Sequence, residues 1–222
     1  MNEEQLGWLL DRVAEEHAQL GQTYAGGAYR THLEQVVLLL TVACRSTGLE
    51  DAGNLSDDFS GELLAVGILH DWFEDCLAGG HHPDRTSNSL TSALCMWQAE
   101  FGVPAVSLMM ALRVTDPSGM SRDWAKATVL PGILACEGAR CVKLADRIAN
   151  LEQSIKDRSG KYLALYVGEA SDFAPVADLG MTPDDAVVET RCYAPVRVFL
   201  ANHYLMVLEQ AKKVLVELAH QP

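Results

Sequence analysis

Apolar residues return every three to four positions along most of this chain, and no stretch alternates polar with apolar long enough to make a strand. That spacing gathers side chains on one face of an α-helix, so they can be buried only by packing helix against helix. Leu6, Leu9, Leu10, Val13 and Ala14 mark a first helix reaching about Leu20. A second is predicted over about 31–46, with Thr31 and Glu34 at capping-box spacing. A third starts near Asp57 or Asp58 and carries Leu63, Leu64, Val66, Ile68 and Leu69 up to His70 and beyond. Further helices are expected at about 90–101, 104–114 and 122–135, the last broken or kinked at Pro131. The strongest pattern is 139–156, with Val142, Leu144, Ala145, Ile148 and Leu151 on its apolar side. A closing helix runs from about 193 to 220, with Pro195 in its first turn.

Segments 21–28 and 48–55 read as loops, and Gly79-Gly80-His81-His82-Pro83 opens a polar one. Asp116-Pro117-Ser118-Gly119 is a turn signal, and 171–190 reads as an irregular excursion. No internal repeat or linker divides the 222 residues, so residues 1–222 are expected to form one all-α, multi-helix domain. With 30 acidic against 17 basic residues, the formal charge is −13, which disfavours nucleic acid and anionic membrane as partners. A small anionic substrate remains compatible, because a bound cation and a few local lysines or arginines can dominate the field inside a cleft. The apolar run 36–43 is too short to span a bilayer, and Met1-Asn2-Glu3-Glu4 lacks the basic start of a signal peptide. A cytoplasmic location is therefore expected. The six cysteines form no CxxC pair and read as small buried apolar residues.

The chemistry concentrates in three places. Ile68-Leu69-His70-Asp71-Trp72-Phe73-Glu74-Asp75 ends an apolar helix in four ionisable groups, with His70 above Glu74 and Asp71 above Asp75 on helical faces. Acids and an imidazole there are costly without a positive partner, and a divalent cation is the simplest one. Lys143-Leu144-Ala145-Asp146-Arg147-Ile148-Ala149-Asn150 places Asp146 and Asn150 four apart among apolar neighbours, and Tyr29-Arg30-Thr31-His32 adds an imidazole at a helix start. Two nitrogens and two or more oxygens suit Mn²⁺, Fe²⁺ or Zn²⁺ and leave positions open for water and a phosphoryl oxygen. His81-His82 sits in a Gly/Pro loop and reads as no second ligand pair, while His17, Tyr162 and Tyr166 read as packing residues and Trp72 and Phe73 as core anchors.

The order H…HD…D, with the central motif in its HDxxED form, resembles the HD superfamily, and more narrowly the RelA/SpoT-type hydrolases and small alarmone hydrolases. The resemblance covers about 10–155. It rests on His17 with Gly21-Gln22, Tyr29-x-x-His32, Leu69-His70-Asp71-x-x-Glu74-Asp75, Phe101-Gly102 with Val114-Thr115-Asp116, and Lys143-Leu144-Ala145-Asp146-Arg147-x-x-Asn150-Leu151. A helical extension would follow that core. The resemblance implies an HD-domain bundle with a metal-centred cleft, one Mn²⁺ bound by His32, His70, Asp71 and Asp146, and removal of the 3′-pyrophosphate from guanosine tetra- or pentaphosphate. Glu74 and Asp75 would orient or deprotonate the attacking water and assist the leaving oxygen. Asn150 would contact the nucleotide or brace Asp146, and Lys143, Arg147, Arg122 and Lys126 would neutralise phosphate.

The chain departs from the family where a basic residue usually follows Gly-Gln: Gly21-Gln22-Thr23-Tyr24-Ala25-Gly26-Gly27 has none, and Tyr24 is the candidate to stack on a base. Arg30 and Leu33 replace the usual small apolar residue after the tyrosine and the usual proline after the histidine. Two alternatives stay open: an HD hydrolase acting on another nucleotide, such as a nucleoside phosphate or a nicotinamide dinucleotide phosphate, and a metal-bound nucleotide sensor without turnover.

Overall fold

The computed structural model describes residues 3–48, 56–72, 111–112, 129–178 and 193–220. The chain is all-α apart from a single two-stranded ribbon among these residues. Helix α1 covers Glu3–Gln19. The ribbon follows, β1 (Thr23–Tyr24) pairing antiparallel with β2 (Gly27–Ala28), Thr23 opposite Ala28 and Tyr24 opposite Gly27. Ala25 and Gly26 join them with φ of 52° and 77°. Two successive left-handed residues are the signature of a type I′ hairpin turn, favourable for glycine and costing roughly 1–2 kcal/mol for alanine. This corrects the reading of 21–28 as a plain loop; two-residue strands carry no periodicity to detect.

Helix α2 is Arg30–Ser46 and α3 is Ser56–Leu69. Residues 129–134 are helical and include Pro131, whose carbonyl accepts from the Ala135 N–H at 3.1 Å. Then come α4 (Glu137–Lys156), α5 (Gly160–Gly168), α6 (Ala170–Ala177) and α7 (Ala194–Ala219). The expected capping box does not form. Helix α2 begins one residue earlier with Tyr29 as its N-cap and no side-chain cap, and Glu34 is drawn instead to Arg30, 2.7 Å away. Helix α6 occupies the first part of the segment expected to be irregular, with Pro175 inside it. Residues 179–190 of that segment and the helices expected at 90–101 and 104–114, save 111–112, lie outside the described residues.

Helix α4 is the hub. Ala139, Cys141, Val142, Leu144, Ala145, Ile148, Ala149 and Leu151 are all fully buried, which leaves little of the helix facing water. Burial on so many sides requires neighbours all round, and α2, α3, α5, α6 and α7 all pack on α4. Helix α7 runs along it through Val196, Leu200, Ala201, Tyr204, Val207, Leu208 and Ala211, a strict three-to-four spacing. Truncating a leucine such as Leu144 at this depth costs about 2–5 kcal/mol.

Helices α2 and α3 run in opposite directions at very close range. A Cβ added to Gly67 would stand 2.6 Å from Leu40 Cδ1 and 3.6 Å from Val36 Cγ1. A larger residue there would require the Leu40 side chain to shift, and this close approach carries the end of α3 to the start of α2.

A second set of charges is buried far from that junction. Glu137 accepts from Arg197 Nε at 2.5 Å and from Arg140 Nη1 at 3.4 Å. The arginines also donate to the carbonyls that end α6: Arg140 to Val176 (3.2 Å), Pro175 (3.0 Å) and Asp178 (3.0 Å), and Arg197 to Asp178. Helix C-termini leave carbonyls without intrahelical partners, and here two guanidinium forks satisfy them while tying α6 to the starts of α4 and α7. Cys44 and Cys141 are buried in the core, as small apolar residues would be. No helix among the described residues is long and apolar enough to cross a membrane.

Candidate metal centre

The meeting of α2, the end of α3 and the middle of α4 brings His32, His70, Asp71 and Asp146 together, although 114 positions separate the first from the last in the sequence. One ligand atom from each lies within 4.8 Å of all the others. His32 Nε2 and His70 Nε2 are 3.3 Å apart. Asp71 Oδ2 is 2.9 Å from His70 Nε2 and 3.8 Å from His32 Nε2, while Asp146 Oδ1 is 3.4 Å from His32 Nε2 and 3.7 Å from His70 Nε2. Both imidazoles are buried and both carboxylates are largely so.

Each ligand is held by a neighbour. His70 Nδ1 donates to the Gly67 carbonyl at 2.7 Å, which leaves the Nε2 lone pair of the neutral ring facing the cluster. Asn150 Nδ2 donates to Asp146 Oδ1 at 2.7 Å from one turn further along α4, and Lys143 Nζ lies 3.4 Å from Asp146 Oδ2 from one turn before. The Tyr29 hydroxyl donates to Asp71 Oδ2 at 2.5 Å. His32 is held differently. Its Nδ1 is buried with no hydrogen-bond partner among the described residues, and its ring is bracketed by Tyr24 (centroids 4.6 Å apart) and Tyr29 (5.4 Å, edge-on).

The electrostatics follow from crowding opposite charges in a dry site. Burial opposes charge on His70, but Asp71 and Asp146 outweigh it and push the imidazole up to about 10. Burial works against the carboxylates too. His70 and Lys143 nevertheless hold Asp71 well below its usual range, and Lys143 with the two imidazoles does the same for Asp146. The cluster thus demands a positive charge at its centre, which a proton on His70 or a metal ion can supply. The two imidazole nitrogens 3.3 Å apart share a hydrogen bond when one of them carries a proton, and a cation between them could take both lone pairs in its place. The donor set fits a divalent ion on these grounds, and the cluster can hold a metal.

The other candidate residues distribute unevenly. Tyr24, on the ribbon, lies over His32 and donates to the Ala149 carbonyl at 3.0 Å, while burial and the charge of Asp146 push its hydroxyl well above the usual range. Arg147 turns away from the cluster. It pairs with Glu169 at 2.9 Å and lies over the rings of Tyr166 (4.9 Å) and Phe173 (4.8 Å), so its position next to Asp146 in sequence places it on a different face of α4. Arg30 is half-exposed between Asp11 and Glu34. Glu74, Asp75, Arg122 and Lys126 lie outside the described residues.

Two contributors come from the end of α1, His17, which the sequence reads as a packing residue, and Glu16, which carries no sequence signal. His17 is fully buried, stacks on Tyr29 with centroids 4.2 Å apart and donates from Nδ1 to Gln22 Oε1. Glu16, beside it at the end of α1, accepts from the indole N–H of Trp72, the residue after Asp71. The last turn of α1 therefore props both sides of the His70-Asp71 step. Comparison with protein-family models, curated proteins and solved structures found no match.

Proposed function

We propose that this chain is a metal-dependent phosphohydrolase acting on a small phosphorylated nucleotide, and that its specific reaction is removal of the 3′-pyrophosphate from guanosine 3′,5′-bis(diphosphate). The observation that carries the reading is the convergence of His32, His70, Asp71 and Asp146 on one point, with each carboxylate oriented by a neighbouring donor. Mn²⁺ is the ion proposed, with Fe²⁺ or Zn²⁺ also suited to two nitrogens and two oxygens. Such an ion supplies Lewis acidity and makes hydroxide available near neutral pH.

The chain's own groups divide the remaining work. Asn150 and Lys143 keep the Asp146 carboxylate turned toward the cluster. In this reading Glu74 and Asp75 orient the attacking water and take its proton, and one of them returns a proton to the ribose 3′ oxygen as its bond to phosphorus breaks. Pyrophosphate and a 3′-hydroxyl result. The substrate class is supported by the resemblance of the two motif stretches, 69–75 and 143–151, to alarmone hydrolases.

One observation favours a second substrate. Tyr24, the candidate for stacking a base, is engaged by His32 and Ala149, and Arg147 by Glu169. Both engagements count against the guanosine substrate and favour another nucleotide, a nucleoside phosphate or a nicotinamide dinucleotide phosphate. The decisive test is turnover of Mn²⁺-loaded protein on a nucleotide panel that includes guanosine tetraphosphate. Pyrophosphate release is expected, orthophosphate release alone selects the second substrate class, and binding without any release would sink the hydrolase and leave a sensor. Asp75→Ala should abolish turnover while sparing metal binding.

A further inference from the structure

We infer that Tyr29 is the positioning residue of the metal centre, one side chain that sets the orientation of two ligands at once; the inference rests on the reading of the cluster as a metal site. Its hydroxyl donates to Asp71 Oδ2, the same oxygen that faces His70 Nε2 at 2.9 Å. A carboxylate oxygen offers two lone-pair directions. With one taken by Tyr29, the other is left pointing into the cluster. The ring of the same tyrosine meets His32 edge-on, and its backbone carbonyl accepts from the His32 N–H at 2.9 Å.

This matters most for His32. Histidine ligands usually have their second nitrogen fixed by a hydrogen bond, as His70 does through Gly67. His32 Nδ1 has no such bond among the described residues, so packing against Tyr24 and Tyr29 sets the ring's direction. Tyr29 is in turn seated on His17, stacked face to face with an interplanar angle of 21°, and His17 is pinned by Gln22. A chain of contacts thus runs from the end of α1 through Tyr29 into both halves of the ligand set.

Tyr29→Phe isolates the hydroxyl while leaving the ring against His17 and His32. Calorimetric titration with Mn²⁺ should show affinity weakened about 10- to 100-fold relative to wild type. Melting of the metal-free variant should fall by no more than about 4 °C, the effect of one lost hydrogen bond in a chain of this size. Loaded with Co²⁺, the variant should show a shifted visible absorption spectrum, because a reoriented Asp71 alters the ligand field; a purely structural role would leave that spectrum alone. Mn²⁺ affinity within twofold of wild type together with an unchanged Co²⁺ spectrum would overturn the assignment of Tyr29 while leaving the metal site standing. A wild-type protein that binds neither ion would overturn both.

Discussion

Two buried clusters of charge lie in this molecule, and they are built on opposite plans. Around Glu137, two guanidinium groups meet one carboxylate, and the surplus donors are absorbed by the carbonyls of Pro175, Val176 and Asp178. Every strong group there faces a partner of the chain's own making. Around His32 and His70, two carboxylates and two imidazoles face inward, with Lys143 the positive side chain at the edge. The first cluster is closed and fastens three helix ends. The second needs a positive charge at its centre that either a proton on His70 or a metal ion can supply, so its balance is completed from outside the chain. Burial by itself therefore says little about function; the balance of donors against acceptors is the informative quantity.

That contrast can be broken by experiment. The largest effect is expected for Glu137→Ala, which strands Arg140 and Arg197 in the interior. Urea unfolding should show a loss of about 3–5 kcal/mol, equal with and without Mn²⁺, and a loss that Mn²⁺ reverses would erase the distinction. Next comes the metal itself. Mn²⁺ at a hundred times its dissociation constant should stabilise the wild type by about 2.7 kcal/mol, and Asp146→Asn should lack that gain. Identical unfolding of chelator-treated and Mn²⁺-loaded wild type would refute the cation-seeking plan. Asn150→Ala should weaken Mn²⁺ binding about 10- to 100-fold, or roughly 1.4–2.7 kcal/mol, through a loosened Asp146, measured by the same titration as Tyr29→Phe. The smallest change is expected at the surface, where Arg30 is half-exposed between Asp11 and Glu34. Arg30→Ala should cost no more than about 1 kcal/mol and leave Mn²⁺ affinity intact; a large loss of metal binding would extend the site out to the start of α2.

The sequence disclosed these features unequally, for physical reasons. Helices α2, α4 and α7 were legible because apolar spacing is a local signal, written within a few turns of each helix. His32, His70, Asp71 and Asp146 stood out because such residues are costly in apolar helical surroundings, so their presence there calls for a reason. What holds them was not legible. The Tyr29 hydroxyl reaches Asp71 across 42 positions, and no pattern in either stretch announces the other. Arg147 was ambiguous. Adjacent to Asp146, it reads as either a phosphate contact or a structural ion pair, and because one step along a helix turns a side chain about 100°, it meets Glu169, Tyr166 and Phe173. Glu137 and Arg140 carry no local sign of burial, since it depends on α6 and α7 arriving from later in the chain.

The missing side chain at position 67 has a further consequence. Because an added methyl at this position would fall 2.6 Å from the end of the Leu40 side chain, and because the carbonyl of the same residue accepts from His70 Nδ1, Gly67 couples the packing of α3 on α2 to the placement of an imidazole. An alanine there would require Leu40 to move aside, so a change at a residue that supplies no ligand atom would be felt in the core that seats one.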